Sequence, residues 1–201
     1  MTRTRNLLGC LTAALFLTAT YIYAAVPLPY AQFGTSRLSG EHRLLLFHTH
    51  TSERLDIVFR RGNEYVPEAI TKLDYFLRDH RTGEVRHFDP RIYDILEELT
   101  YAAGHPGGEI DIVCGYRTLW SNEFLRARTA GVAKNSLHLR GEAIDLRMPG
   151  VETSRLHEAA LSLHGGGVGY YPHSDFIHVD VGRVRQWCFN CASTFQDVGG
   201  E

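Results

Sequence analysis

Short apolar runs that suit strands are interleaved along this chain with stripes of helical period. Arg43 to His50 and Leu55 to Arg61 read as two strands of a hairpin that turns across Thr51-Ser-Glu-Arg. Ile70, Leu73, Phe76 and Leu77 then form a helical stripe within 66–78, opened by Pro67. A second stripe, Ile92, Ile95, Leu96 and Leu99, follows the Asp89-Pro90 start signal and stops before Gly104. Ile110 to Tyr116 reads as a strand, Trp120 to Arg128 as a helix, and Thr153 to His164 as a helix stopped by three glycines. Leu137 to Leu139 and Ala143 to Leu146 read as two extended pieces around Arg140-Gly141, where glycine permits a tight reversal. Ile177, Val179 and Val181 alternate with His178 and Asp180, so a strand there buries the apolar set and turns His178 and Asp180 to the other face. These mixed segments predict an α+β domain with helices packed on a small antiparallel sheet.

At 201 residues, with 44% hydrophobic and 22% charged residues, the chain can bury one full core. That core is expected over 43–191, preceded by a linker at 27–42 and followed by a loose tail at 192–201. Its 21 basic and 23 acidic residues leave no basic face for nucleic acid. Residues 1–26 read as a signal peptide or an uncleaved signal anchor. Arg3 and Arg5 precede an uncharged, largely apolar stretch from Leu7 to Val26, which at about 20 residues reaches membrane-spanning length. Residues 7–26 could thus associate with the inner membrane, with the rest of the chain outside the cytoplasm, opposite the arginines. Cys10 falls in that segment but lacks the preceding apolar run of a lipoprotein box. Cys114, Cys188 and Cys191 remain, an odd number, for which a local or a Cys114-linked disulfide are both open.

The candidate chemistry lies in Ser136-Leu-His-Leu-Arg-Gly-Glu-Ala-Ile-Asp145 and in Asp175-Phe-Ile-His-Val-Asp180. Together they offer His138, Asp145 and His178, the three protein ligands that an open catalytic zinc uses while keeping its fourth position for water. The two strands that carry Asp145 and His178 could meet at one ion. Gly165-Gly-Gly-Val-Gly169 lacks the lysine and Ser/Thr of a phosphate-binding loop; its glycines instead let the backbone run close to substrate or sheet, with Tyr170 and Tyr171 lining a cleft. His48 and His50 form a His-x-His pair that reads as plain strand residues.

The pattern Ser136-x-His138-x-x-Gly141-x-Ala143-x-Asp145, followed by Asp175-x-x-His178, resembles the zinc D-Ala-D-Ala metallopeptidases of hedgehog-like fold. Leu77-Arg-Asp-His-Arg-Thr-Gly-Glu84, Cys114-Gly-Tyr-Arg-Thr118 and Gly165-Gly-Gly-Val-Gly-Tyr-Tyr-Pro172 are similar to the murein endopeptidase K branch, and the likeness spans roughly 43 to 187. It implies a periplasmic or envelope enzyme with one zinc ion, cutting peptide bonds in peptidoglycan stems or cross-bridges. A carboxypeptidase trimming free stem ends and a non-catalytic metal-containing binding module are the alternatives. In this resemblance Asp175 is the general base and Arg117 grips a substrate carboxylate or the oxyanion, with Ser136, Tyr116 and Tyr170 against substrate. In a regular strand Asp175 would point away from the metal, so the base role needs a loop or bulge, which Pro172-His-Ser supplies. Asp180 is the rival base, or a carboxylate that orients a ligand imidazole, and His173 is a third candidate.

Overall fold

The computed structural model describes residues 40–191, so the signal segment 1–26, nearly all of the 27–42 linker and the 192–201 tail lie outside the described residues. Among the described residues no helix is long and apolar enough to cross a membrane.

The domain is α+β, with four α-helices and one open eight-stranded sheet among the described residues. The strands are β1 (Glu41–His48), β2 (Arg54–Arg61), β3 (Glu64–Tyr65), β4 (Glu109–Cys114), β5 (Ala143–Arg147), β6 (Gly167–Tyr171), β7 (Phe176–Asp180) and β8 (Arg185–Cys188). The helices are α1 (Pro67–Phe76), α2 (Arg91–Ala102), α3 (Leu119–Arg126) and α4 (Thr153–Leu163). Strand order is β3-β2-β1-β4-β5-β7-β6-β8. The expected hairpin is β1 and β2, and the helical stripes become the buried faces of α1 and α2: Ile70, Leu73, Ile92, Leu96 and Leu99 are all shielded from solvent. Each such side chain, fully buried, contributes about 1.5–3 kcal/mol. Helix α1 packs on β2, α2 on β1 and α4, and α4 on β6 and β7.

Two expectations are corrected. The sheet is mixed rather than antiparallel, because β1 pairs in parallel with β4 and β6 with β8. The β1-to-β4 connection carries two whole helices, which is the long crossover that parallel pairing requires. The segment around His138 is a single 3-10 turn, Leu137–Arg140, rather than a strand. Ser136 caps it by accepting the His138 N–H, and Gly141 ends it at φ 70°. A side chain at Gly141 would also strike the His87 carbonyl, its Cβ only 2.6 Å from that oxygen, so the reversal expected there depends on glycine.

Candidate active site

Sheet alternation separates the core from the site. Ile144, Leu146, Ile177 and Val179 point into the hydrophobic core, so Asp145 and His178 point to the opposite face. They are also direct cross-strand partners in the β5–β7 ladder, which places their side chains side by side. The same row continues in both directions. On one side a register shift in β4 between Ile112 and Cys114 brings Cys114 opposite Asp145. On the other, His178 pairs with Gly169 and Gly169 with Trp187. A Cβ on Gly169 would sit 2.5 Å from the Trp187 indole; its absence lets that ring lie across the gap, 5.1 Å from the His178 ring. The glycine run thus serves close approach within the sheet.

The 3-10 turn swings His138 into the same spot. Its Nε2 lies 3.1 Å from His178 Nδ1 and 3.1 Å from Asp145 Oδ1, which is itself 2.9 Å from His178 Nδ1. The outer nitrogens are occupied: His138 Nδ1 donates to the Gly115 carbonyl at 2.7 Å, and His178 Nε2 donates to Asp180 at 3.1 Å. Those bonds fix the tautomers and turn one lone pair of each imidazole toward Asp145. Burial, and then the Arg117 charge, lower the His138 pKa to about 4, which keeps that ring neutral at pH 7. Burial opposes charge on Asp145, yet the two imidazoles hold its carboxyl well below the usual carboxylate range. Burial opposes charge on His178, but Asp145 and Asp180 outweigh it and raise that imidazole's pKa, so metal binding would displace a proton from the ring. Two imidazoles and a carboxylate, with donor atoms about 3 Å apart, suit a small divalent ion bound at about 2.0–2.2 Å. Cys114 joins His138 and Asp145 in a possible metal-binding group whose ligand atoms lie within 4.8 Å of one another. Burial pushes the Cys114 thiol up to about 11, which favours the imidazoles as donors.

Arg117 follows β4 and is buried against the triad, its Nη2 3.5 Å from Asp145 Oδ2 and its Nη1 3.4 Å from Asn122 Oδ1 on α3. Its backbone N–H donates to the His138 carbonyl, tying the two functional segments together. The Leu77–Glu84 motif explains how the arginine is placed. Asp79, fully buried, accepts from both the backbone and the hydroxyl of Thr118, and Thr118 caps α3. Arg117 Nε is a buried donor with no partner among the described residues.

A cavity of about 340 Å³ opens over these groups. Its wall includes Arg117, Ser136 and the His-Asp-His set, together with Tyr171 and Trp187. Three sequence-based substrate or base candidates lie elsewhere. Tyr170 points to the other face of β6 and stacks on His157 of α4, because adjacent strand residues alternate, so Tyr171 alone faces the cleft. Tyr116 packs against the hydrophobic core, and His173 sits exposed on the short turn after β6. Asp175 does leave the strand through a loop, as it must, but its left-handed backbone (φ 52°) delivers the carboxylate to the Thr153 hydroxyl at the start of α4. Asp180 is held by His178, by the Gly167 and Gly182 N–H groups and by Arg185, the geometry of a carboxylate that orients an imidazole. His50, His80 and Trp187 also line the cavity, beyond the site residues that the sequence motifs indicate. His50 and His80 stack at 4.0 Å in the cavity wall, and burial lowers both their pKa values. Their only early signals were the His-x-His spacing and the Asp79-His80 motif.

Donors of this kind, set on two strands and a 3-10 turn of an α+β fold and backed by a buried arginine, are what a metallopeptidase requires. Comparison with known proteins agrees: the family model described as Peptidoglycan L,D-endopeptidase MepK, of the M15 peptidases, matches residues 37–187. The chain belongs to that family. It is 39% identical to the Peptidoglycan L,D-endopeptidase MepK of Escherichia coli (strain K12) over 163 residues, which are 81% of this chain and 89% of that protein. It is 43% identical over 146 residues to the Probable peptidoglycan L,D-endopeptidase MepK of Haemophilus influenzae (strain ATCC 51907 / DSM 11121 / KW20 / Rd), covering 72% of this chain and 78% of that one. No solved structure gives a significant match.

Proposed function

We propose that this protein is a zinc-dependent endopeptidase that hydrolyses L,D cross-links between peptidoglycan stem peptides in the periplasm or cell envelope. The observation that carries this reading is the convergence of His138, Asp145 and His178 within 3.1 Å of one another, beside Arg117, in the floor of one cavity. In this reading those three side chains hold a single Zn²⁺. When bound, zinc supplies Lewis acidity and makes a water a competent nucleophile near neutral pH. The protein's own contributions are positional and electrostatic. Asp180 holds the His178 ring in its metal-facing tautomer. Arg117, in the cavity wall beside Asp145, supplies guanidinium donors for the developing oxyanion or for a substrate carboxylate. Ser136 and Tyr171 line the path of the peptide. The hedgehog-like arrangement of the domain over 43–191, and export by residues 1–26, belong to the same reading.

Purified protein lacking residues 1–26 and loaded with zinc is expected to release monomers from cross-linked muropeptides, and a chelator to stop the release until zinc is restored. Failure to release monomers, or indifference to the chelator, would sink the proposal.

Asp175 and Asp180 separate cleanly by mutation. Asp180→Asn is expected to weaken zinc affinity by about 10- to 100-fold, because the orienting charge on His178 is lost. Asp175→Asn should keep zinc affinity and most activity, since its partner is Thr153. Zinc titration and kcat measured on both variants check this; near-complete loss of kcat in Asp175→Asn, with zinc retained, would restore it as the base.

A further inference from the structure

The family match ends at residue 187, and the next residue begins a feature that closes one side of the cleft. Cys188 and Cys191 form a disulfide that spans Phe189 and Asn190. Asn190 takes the left-handed conformation (φ 60°) that so short a loop needs and that asparagine tolerates better than most residues. The Phe189 N–H extends the sheet by donating to the Tyr170 carbonyl at 2.9 Å. The Phe189 ring is thereby thrown across the cavity. It lies 5.8 Å from the Tyr171 ring on one side, and on the other it covers Gly131 so closely that a Cβ there would be 2.5 Å from its edge. Gly131 belongs to the loop between α3 and the 3-10 turn, on the far wall of the same cavity. Trp187, one residue before the disulfide, donates its indole N–H to the Tyr171 hydroxyl at 3.0 Å and faces His178.

We propose that the Cys188–Cys191 disulfide is a clasp that sets substrate selection: it holds Phe189 against Gly131 to make an apolar wall that contacts the aliphatic part of the bound stem peptide. The inference rests on the peptidoglycan-peptidase reading for its substrate. Among the described residues Phe189 is held by this disulfide, by its N–H bond to Tyr170 and by the packing of its ring on Tyr171 and Gly131. With the disulfide open, two free thiols flank a left-handed residue, and the ring loses its fixed place over Gly131. A phosphine reductant opens the clasp in a balanced step: the S–S bond accepts two electrons and two protons, and the phosphine takes the oxygen of a water.

The test compares three forms of the zinc-loaded protein on cross-linked muropeptides: oxidised, reduced and then freed of reductant, and Phe189→Ala. The Cys188→Ser/Cys191→Ser double variant serves as a permanently open form. Opening the clasp or removing the ring is expected to raise KM by about five- to tenfold while kcat stays within about twofold, and Phe189→Ala should no longer respond to reduction. Fluorescence gives a reading independent of catalysis. In a Trp120→Phe background Trp187 is the sole tryptophan, and reduction should raise its quenching by acrylamide. Unchanged KM in both Phe189→Ala and the double variant, or unchanged Trp187 quenching on reduction, overturns the clasp. If the unaltered protein cleaves no cross-linked peptide, the enzymatic reading fails instead, and the Trp187 measurement still decides whether the clasp closes the cleft.

Discussion

His138→Ala is expected to take zinc content from one ion per chain to near zero and to lower kcat/KM on cross-linked muropeptides by about 10³-fold or more. His138 is fully buried on a one-turn element, its Nδ1 tied to Gly115 and its Nε2 facing Asp145 and His178. No other imidazole is poised to replace it, since His50 and His80 sit in the wall and stack on each other. Asp145→Asn makes a complementary probe. The amide keeps the shape but removes the charge that faces both imidazoles and Arg117, so the remaining buried guanidinium loses its ion partner. Breaking a buried pair in this way costs about 3–5 kcal/mol, so this variant should lose thermal stability as well as metal. Atomic absorption and steady-state kinetics on both variants are the checks. A His138→Ala protein that keeps stoichiometric zinc and activity would show that the donor set lies elsewhere.

Arg117→Ala is expected to retain zinc and to lose about 10²- to 10³-fold in kcat, the usual consequence of removing one preorganised donor from a developing oxyanion. Lysine should rescue little, because a point charge cannot reproduce the guanidinium's fixed fork toward Asn122, Asp145 and substrate. The kinetic split is informative. A loss mainly in KM would assign Arg117 to gripping a substrate carboxylate, whereas a loss in kcat assigns it to the oxyanion. Unchanged kcat and KM would remove Arg117 from the chemistry altogether.

Much of the fold was legible because local rules happened to agree with tertiary demands. The stripes at Ile70, Leu73, Ile92, Leu96 and Leu99 are buried as their 3.6-residue period requires, and the alternation of Ile177 and Val179 with His178 and Asp180 is the two-residue period of β7. The left-handed Gly141 was legible too, since the reversal between the two motif halves needs it. What failed locally failed for a reason. Leu137 to Leu139 alternates apolar and polar positions as a strand would, but the Ser136 cap and Gly141 leave room for only one tight turn. Tyr170 and Tyr171 look equivalent in sequence and face opposite sides of one strand.

The chain's sequence alone determined which chemical groups are available, an α+β class and the ordered spacing of two histidines and one aspartate, because hydrophobic period and motif spacing are local properties. Only the tertiary structure decided which of them meet. The β5–β7 register sets Asp145 beside His178, the shift in β4 adds Cys114 to the row, and the backbone twist at Asp175 sends its carboxylate to Thr153. Such outcomes depend on contacts between segments more than twenty residues apart, and in the sheet a one-residue slip would reverse every side chain, so no local pattern encodes that choice.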